Sequence, residues 1–111
     1  MAIRIIPTDP ELSTYSQRVT LDGREYQVTL QWNQREAKWY VSLADADGAP
    51  IVDGVKVVAN FPLLRTLTDR RAPPGEMFAM DRSGAGVDPG LRDLGRRVLL
   101  VYVDAADLVE G

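Results

Sequence analysis

Three aspartates lie in or next to a glycine-rich segment, residues 83–90. They are the residues whose type and spacing best suit acid–base chemistry. Asp81 precedes the segment, Asp88 lies inside it and Asp93 follows it. Two carboxylates held a few ångströms apart can share the roles of general acid and general base. Nothing in this spacing demands such a pair, and Arg82 interrupts the Asp-Ser-Gly order of an aspartic protease. The chain also has no histidine and no cysteine, so the sequence predicts that the protein is not an enzyme and has no catalytic residues.

The segment Asp45-Ala46-Asp47-Gly48 resembles the start of a calcium-binding loop. It lacks a further aspartate or asparagine before the glycine, and Lys56 stands where such a loop needs its last glutamate ligand. Aspartate and glycine are good turn formers, so a hairpin turn is the favoured interpretation. We therefore expect no metal site and no cofactor.

The composition of the 111-residue chain is that of a globular protein, with 45% hydrophobic and 26% charged residues. The net charge is −3 and no basic block is longer than two residues. A nucleic acid or an anionic membrane needs a concentrated basic surface, so neither is expected as a partner. The start of the chain does not resemble a secretion signal, because Arg4 and Pro7 interrupt its apolar residues. We expect one β-rich domain over residues 1–111, with a flexible tail at 104–111.

Period-two alternation gives the clearest structural signal. Tyr26, Val28, Leu30 and Trp32 alternate with polar residues, as on a strand with one buried face. Asp22-Gly23 precedes them and predicts a two-residue hairpin turn, because both residues tolerate positive φ. The next strand is predicted to bury Trp39, Val41 and Leu43 and to leave Tyr40 on the surface face. Tyr40 is thus the better candidate for a stacking contact with a sugar or a single-stranded nucleic acid.

Further strands are predicted at both ends and in the middle of the chain. Residues 3–6, 51–59, 76–81 and 97–103 are short and apolar, whereas residues 8–16 are predicted to form a loop. Asp53-Gly54 interrupts the second of these, residues 51–59, as either a tight hairpin or a bulge. Residues 61–65 are compatible with one helical turn that begins at Pro62. The set predicts an all-β, mainly antiparallel barrel or sandwich with long loops, and a barrel is favoured because closure removes exposed edges.

Two loops, residues 69–76 and 82–97, are longer than hairpin closure requires and mix arginine with aspartate, proline and glycine. Arginine is enriched at protein interfaces because its planar fork pairs with carboxylates. We expect partner contacts through Arg70, Arg71, Arg92 and Arg96, and ordering of Gly84 to Gly90 in the assembly. The competing interpretation is a solvated surface with local ion pairs to Asp69 or Asp93.

The ordered set of short motifs resembles the baseplate plug proteins of contractile-tailed bacteriophages, a family of small tail proteins at the baseplate hub. The resemblance covers nearly the whole chain, and its acidic end, Asp104 to Glu110, departs from the pattern. Its first part lies in Val19 to Tyr26, Leu30 to Asn33, Trp39-Tyr40, Asp45 to Gly48, Ile51-Val52, Gly54-Val55 and Pro62 to Leu64. Its second part lies in Pro73 to Glu76, Asp88-Pro89, Asp93 to Gly95 and Val98 to Tyr102.

The resemblance implies a structural component of the virion, made in the host cytoplasm, that closes the tail tube at the hub and joins it to the spike complex. It implies other tail or hub proteins as partners, or copies of the chain itself in a symmetric assembly, and carries over no catalytic residues. The residues alone leave alternatives open. These are a small β-barrel that binds a carbohydrate or a single-stranded nucleic acid, a hydrolase that uses Asp81 or Asp88, and an adaptor of a non-phage contractile machine.

Overall fold

A computed structural model describes residues 3–64 and 71–105. The described residues form seven strands in two antiparallel sheets. The strands are β1 (Ile3–Ile6), β2 (Thr14–Leu21), β3 (Arg24–Asn33), β4 (Lys38–Asp45), β5 (Pro50–Lys56), β6 (Glu76–Asp81) and β7 (Val98–Val103). Within these described ranges, no helix has the length and apolar character needed to cross a membrane. Most of the tail predicted at 104–111 lies outside the described residues.

The four-stranded sheet has the order β2-β3-β4-β5 and begins with the predicted hairpin. Asp22 and Gly23 both adopt positive φ, 51° and 79°, which is the type I′ turn that matches the twist of the flanking strands. The alternation in β3 and β4 places their large apolar side chains on one buried face, as predicted: Tyr26, Val28, Leu30, Trp39, Val41 and Leu43.

Asp53-Gly54 forms a bulge within β5, which decides between the two alternatives left open by the sequence. Val41 pairs with Val55 and Leu43 pairs with Val52, so Asp53 and Gly54 together oppose one residue of β4. That residue, Ser42, stabilises the bulge with its hydroxyl, which accepts from the Gly54 amide at 3.0 Å and donates to Asp53 Oδ1 at 2.9 Å.

The second sheet has three strands in the order β1-β7-β6, with the apolar strand β7 at its centre. Its buried side chains complete one core with those of the four-stranded sheet: Ile6, Met77, Ala79, Val98, Leu100 and Tyr102. No strand ladder joins the two sheets in the described ranges. The fold is therefore the sandwich of the two predicted forms, and the preference for a closed barrel was wrong because β1 and β2 do not pair.

Two local predictions also differ from the structure. β2 begins at Thr14, inside the segment predicted as a loop, because Thr14 to Ser16 pair with β3 and the Tyr15 ring packs edge-on against Trp39 at 6.2 Å. Such tertiary pairing overrides the weak local signal of a polar segment. Residues 61–64 form bends and no helical turn, and residue 65 lies outside the described part of the chain.

Candidate interaction surface

The loop of residues 82–97, which connects β6 to β7, is organised around the ion pair of Asp81 and Arg97. The Asp81 side chain is fully buried, and its Oδ2 lies 2.8 Å from Arg97 Nη1. Asp81 Oδ1 accepts from the amide and the hydroxyl of Ser83 at 2.9 and 2.7 Å, and Oδ2 accepts from the Val87 amide at 3.0 Å. Both carboxylate oxygens therefore have donors, as a buried charge requires.

Arg97 connects this carboxylate to the far side of the loop. Its guanidinium donates to the carbonyls of Val87 and Asp88 at 2.9 and 3.0 Å and to Asp93 Oδ2 at 3.1 Å. Asp93 thus forms a local ion pair with Arg97, of the kind that the competing interpretation of the arginine loops describes. These bonds hold the loop as one body at the end of β6 and β7.

Three further hydrogen bonds fix the loop, two to β4 of the four-stranded sheet and one to Ala59, which follows β5. Asp88 Oδ2 accepts from Lys38 Nζ at 2.8 Å, and its Oδ1 accepts from the Ala59 amide at 2.8 Å. The indole Nε1 of the buried Trp39 donates to the Gly90 carbonyl at 2.9 Å. The loop is therefore positioned by the core of the sheet and not by its own residues alone.

Arg92 and Arg96 converge on one carboxylate, that of Glu11, at the outer side of this loop. Arg92 Nη1 lies 3.0 Å from Glu11 Oε2, and Arg96 Nη2 lies 2.7 Å from Glu11 Oε1. The backbone approaches closely here because Gly95, at φ +94°, leaves only 2.9 Å between the position of an added Cβ and the Thr8 carbonyl oxygen. Both arginine side chains remain more than half exposed, at 57% and 58%.

Arg71 lies elsewhere and does not share this carboxylate. Its Nη2 donates to the Pro50 carbonyl at 2.9 Å, and its Nη1 lies 3.9 Å from Asp45 Oδ2. Asp45 also accepts from the amides of Asp47 and Ala49, as in the predicted hairpin turn. Arg70, the fourth predicted contact residue, lies outside the described residues. The structure thus brings together two of the predicted arginines.

Comparison with known proteins identifies the family. The model of a family described as the cyanophage baseplate Pam3 plug gp18 matches residues 3–105. The chain belongs to this plug family. No curated protein matches the chain. The match covers both sheets and the loop of residues 82–97, so the baseplate plug resemblance read from the short motifs is confirmed.

The three loop carboxylates of this plug-family chain are held in hydrogen bonds that stabilise the loop. The side-chain hydrogen bond from Ser83 holds the pKa of Asp81 well below its usual range. The pKa of Asp88 is lowered by Lys38, and that of Asp93 by the Gly90 amide. A general acid needs a raised pKa and an available proton, whereas all three carboxyls favour the charged, hydrogen-bonded form. Among the described residues no carboxylate cluster could hold a metal ion.

Two features of this surface went beyond the sequence-based expectations. Glu11, which joins Arg92 and Arg96, was not predicted, because it lies 81 and 85 residues away from them and no local spacing indicates the contact. The second feature concerns Gly84 to Gly90, whose ordering only in the assembly stays a prediction. Asp81, Asp88 and Arg97 hold that segment by bonds within one plug chain.

Tyr40 lies on the surface face, as predicted, and lines an open groove of about 510 Å³ beside Gln31, Trp32 and Gly54. Its hydroxyl donates to Glu36, and this bond raises the pKa of Tyr40. Trp32 is partly buried and turned edge-on to Trp39, with the ring centroids 5.6 Å apart. Its indole N–H donates to Gln34, so Trp32 contributes to packing in the four-stranded sheet.

The lowered pKa of Asp81 predicts how its contribution to stability depends on pH. An unfolded aspartate titrates near pH ~3.9; since the folded pKa is lower, the stabilisation is fully present above about pH 5 and is lost as pH falls through the folded value. Asp81→Asn should lower the thermal midpoint by several degrees at pH 7, and its difference from wild type should shrink towards pH 3. Calorimetry at pH 7, 5 and 3 measures this difference. A constant difference would show that Asp81 is not the ionised partner of Arg97.

Proposed function

We propose that this plug-family protein is a structural component that closes the tail tube at the baseplate hub by protein–protein contact, and that it catalyses no reaction. Membership of the baseplate plug family supports a place in the tail baseplate of the virion. Its partners in this proposal are other tail or hub proteins, or further copies of itself in a symmetric assembly. Synthesis takes place in the host cytoplasm, and neither a membrane nor a specific nucleic-acid sequence takes part.

The Arg92–Arg96–Glu11 cluster is the observation that supports a contact surface. Two guanidiniums share one carboxylate, so the cluster keeps a net positive charge on a chain whose net charge is −3. Within the described ranges, the Nε atoms of Arg92 and Arg96 have no acceptor. Exposed ion pairs contribute little to stability, whereas arginine forks with available donors bind partner carboxylates well. We therefore assign the cluster to partner binding.

Arg70 and Arg71 form the second part of the proposed contact surface. Arg71 lies against the turn between β4 and β5 through Pro50 and Asp45, with its side chain 46% exposed. The Asp45 contact is long at 3.9 Å and partly solvated, so a partner carboxylate can replace it at small cost. In this proposal the two arginine pairs contact partners at separate places.

Charge reversal tests the proposal. Arg92→Glu with Arg96→Glu should leave the thermal midpoint within a few degrees of wild type, as surface changes usually do. The variant should nevertheless enter baseplates at least ~10-fold less well, because repulsion replaces a charge-assisted contact. Incorporation is measured by complementing a phage that lacks the gene and quantifying the protein in purified tails.

Two controls distinguish the loss of a partner contact from an effect of the change in net charge. Arg24→Glu with Arg35→Glu makes the same change in net charge at two exposed positions outside the cluster and should incorporate normally. Glu11→Gln keeps both arginines and removes their internal acceptor, so it too should incorporate. Normal assembly of the Arg92/Arg96 variant and of a matching Arg70→Glu with Arg71→Glu variant would remove the proposed surface.

A further inference from the structure

Two of the four outer strands have blocked edges and two do not. β5 contains two register shifts, and β6 is covered by the Asn60 and Leu63 amides, which donate to Ala79 and Met77 at 2.7 and 2.9 Å. Bulges and covering segments are the usual means by which proteins protect an edge from further pairing. β2, in contrast, makes eight consecutive pairs with β3 without a shift, and β1 pairs with β7 alone.

The ladder fixes which backbone groups of β2 point outward. Leu21 and Arg24 flank the two-residue turn and therefore exchange hydrogen bonds, and this arrangement alternates along an antiparallel pair. The Trp32 amide donates to the Ser13 carbonyl at 2.9 Å, as that alternation requires. No strand of the described chain pairs with the groups that point away from β3. These are the amides and carbonyls of Thr14, Ser16, Arg18 and Thr20.

A groove runs between this edge and β1. It measures about 320 Å³ and is lined by residues 4–7 and 18–21. The Gln17 side-chain amide donates to the carbonyl of Pro7, one of the lining residues. Ile5 contributes an apolar side chain that is 61% exposed. Arg4 and Arg18 are more than half exposed, and each pairs with an acidic residue of the same chain, Asp104 or Glu25.

We propose that an extended segment of another baseplate protein enters this groove and adds to β2 as a fifth strand. This rests on the proposed place in the baseplate. A row of outward amides and carbonyls at strand spacing matches an extended backbone. The segment should carry an apolar residue that covers Ile5 and an acidic residue that pairs with Arg18. The existing partner of Arg18, Glu25, is exposed and can be displaced, because surface ion pairs are weak.

Residue-resolved amide exchange in the free protein and in purified baseplates tests the inference. In the free protein the amides of Arg18 and Thr20 should exchange fast, whereas the Gln17 and Val19 amides, which bond to β3, are protected. In baseplates the Arg18 and Thr20 amides should slow at least ~100-fold. Equal exchange in incorporated protein would overturn the inference and leave the plug function standing. Absence of the protein from baseplates would overturn the proposed function itself.

A single proline substitution in the same edge provides an independent readout. Arg18→Pro removes one outward amide and no bond of the β2–β3 ladder, and proline is tolerated at such edge positions. It should enter baseplates at least ~10-fold less well than Arg18→Ala, which keeps the amide. Equal incorporation of the two variants would contradict strand addition. Protection of Arg18 and Thr20 in a dimer of the isolated protein would assign the edge to a second copy, and the partner segment would then be wrong.

Discussion

Replacing Trp39 by alanine should destabilise the protein by about 3–5 kcal/mol, the range found for large aromatic truncations in cores. Trp39 has no exposed surface and is among the largest fully buried side chains. Its ring packs edge-on against Tyr15 and Trp32, with centroids 6.2 and 5.6 Å away. A domain of this size is stable by only about 5–15 kcal/mol, so the variant should lie close to the unfolding threshold. Urea unfolding followed by circular dichroism measures the change.

Two variants separate the packing of Trp39 from its hydrogen bond. Trp39→Phe retains most of the apolar volume and leaves the Gly90 carbonyl without its indole donor, a loss of about 1–3 kcal/mol. Trp32→Ala removes the same side chain from a partly exposed position of the same cross-strand pair and should have a smaller effect than Trp39→Ala. If both alanine variants are equally destabilised, the burial of Trp39 adds nothing to its contribution to stability.

The Trp39 contact also connects stability to the proposed surface. Gly90 lies between Asp88 and Arg92 in the loop of residues 82–97, and its carbonyl is bound by the core of the four-stranded sheet. In a Trp39→Phe variant, the loop should therefore loosen before the whole domain unfolds. We infer that the core side chain positions the arginine cluster, although it contacts neither Arg92 nor Arg96.

The parts of the fold that were predictable are those in which neighbouring residues carry the signal. The alternation in β3 and β4 marks the buried face directly, because side chains of a strand point in opposite directions in turn. The Asp22-Gly23 turn requires positive φ at both positions, and few other residue pairs adopt it easily. The first half of β2 has no such local signal. Its polar residues form a strand only because β3 provides the pairing partner.

The candidate surface was predictable in part for the same reason. Arginines in long loops indicated a candidate contact surface, which stays a prediction. The ion pair of Asp93 and Arg97 spans four residues and so was visible locally. The convergence of Arg92 and Arg96 on Glu11 depends on how the two sheets bring the ends of the chain together, which no local pattern encodes. The separation of Arg71 from that cluster has the same origin. Topology, and not residue type, decides which charges meet.

Gly75→Ala should destabilise the protein by at least about 3 kcal/mol, at the upper end of the range for overpacked cores. A Cβ at Gly75 would lie 2.1 Å from the Val103 carbonyl oxygen and 2.5 Å from the Tyr102 hydroxyl oxygen. The Val103 oxygen belongs to the backbone of β7, so the start of β6 must move away from the centre of its sheet. That movement also breaks the bond in which the Gly75 amide donates to the Tyr102 hydroxyl at 2.6 Å.

The Tyr102 hydroxyl makes this position sensitive because it joins three segments. It accepts from Gly75 and donates to Asp22 Oδ2 at 2.5 Å, in the turn between β2 and β3. Burial and this carboxylate raise the pKa of Tyr102, so the hydroxyl remains a donor. Gly86→Ala is the matched control: its Cβ meets no atom within 4 Å, and it should lose only about 1–2 kcal/mol from its positive φ. Tyr102→Phe in the Gly75→Ala background should not restore stability fully, because the Val103 oxygen and the ring carbon Cζ remain 2.1 and 2.6 Å from the added Cβ. Full recovery in urea unfolding would show that the backbone contact is not the obstacle.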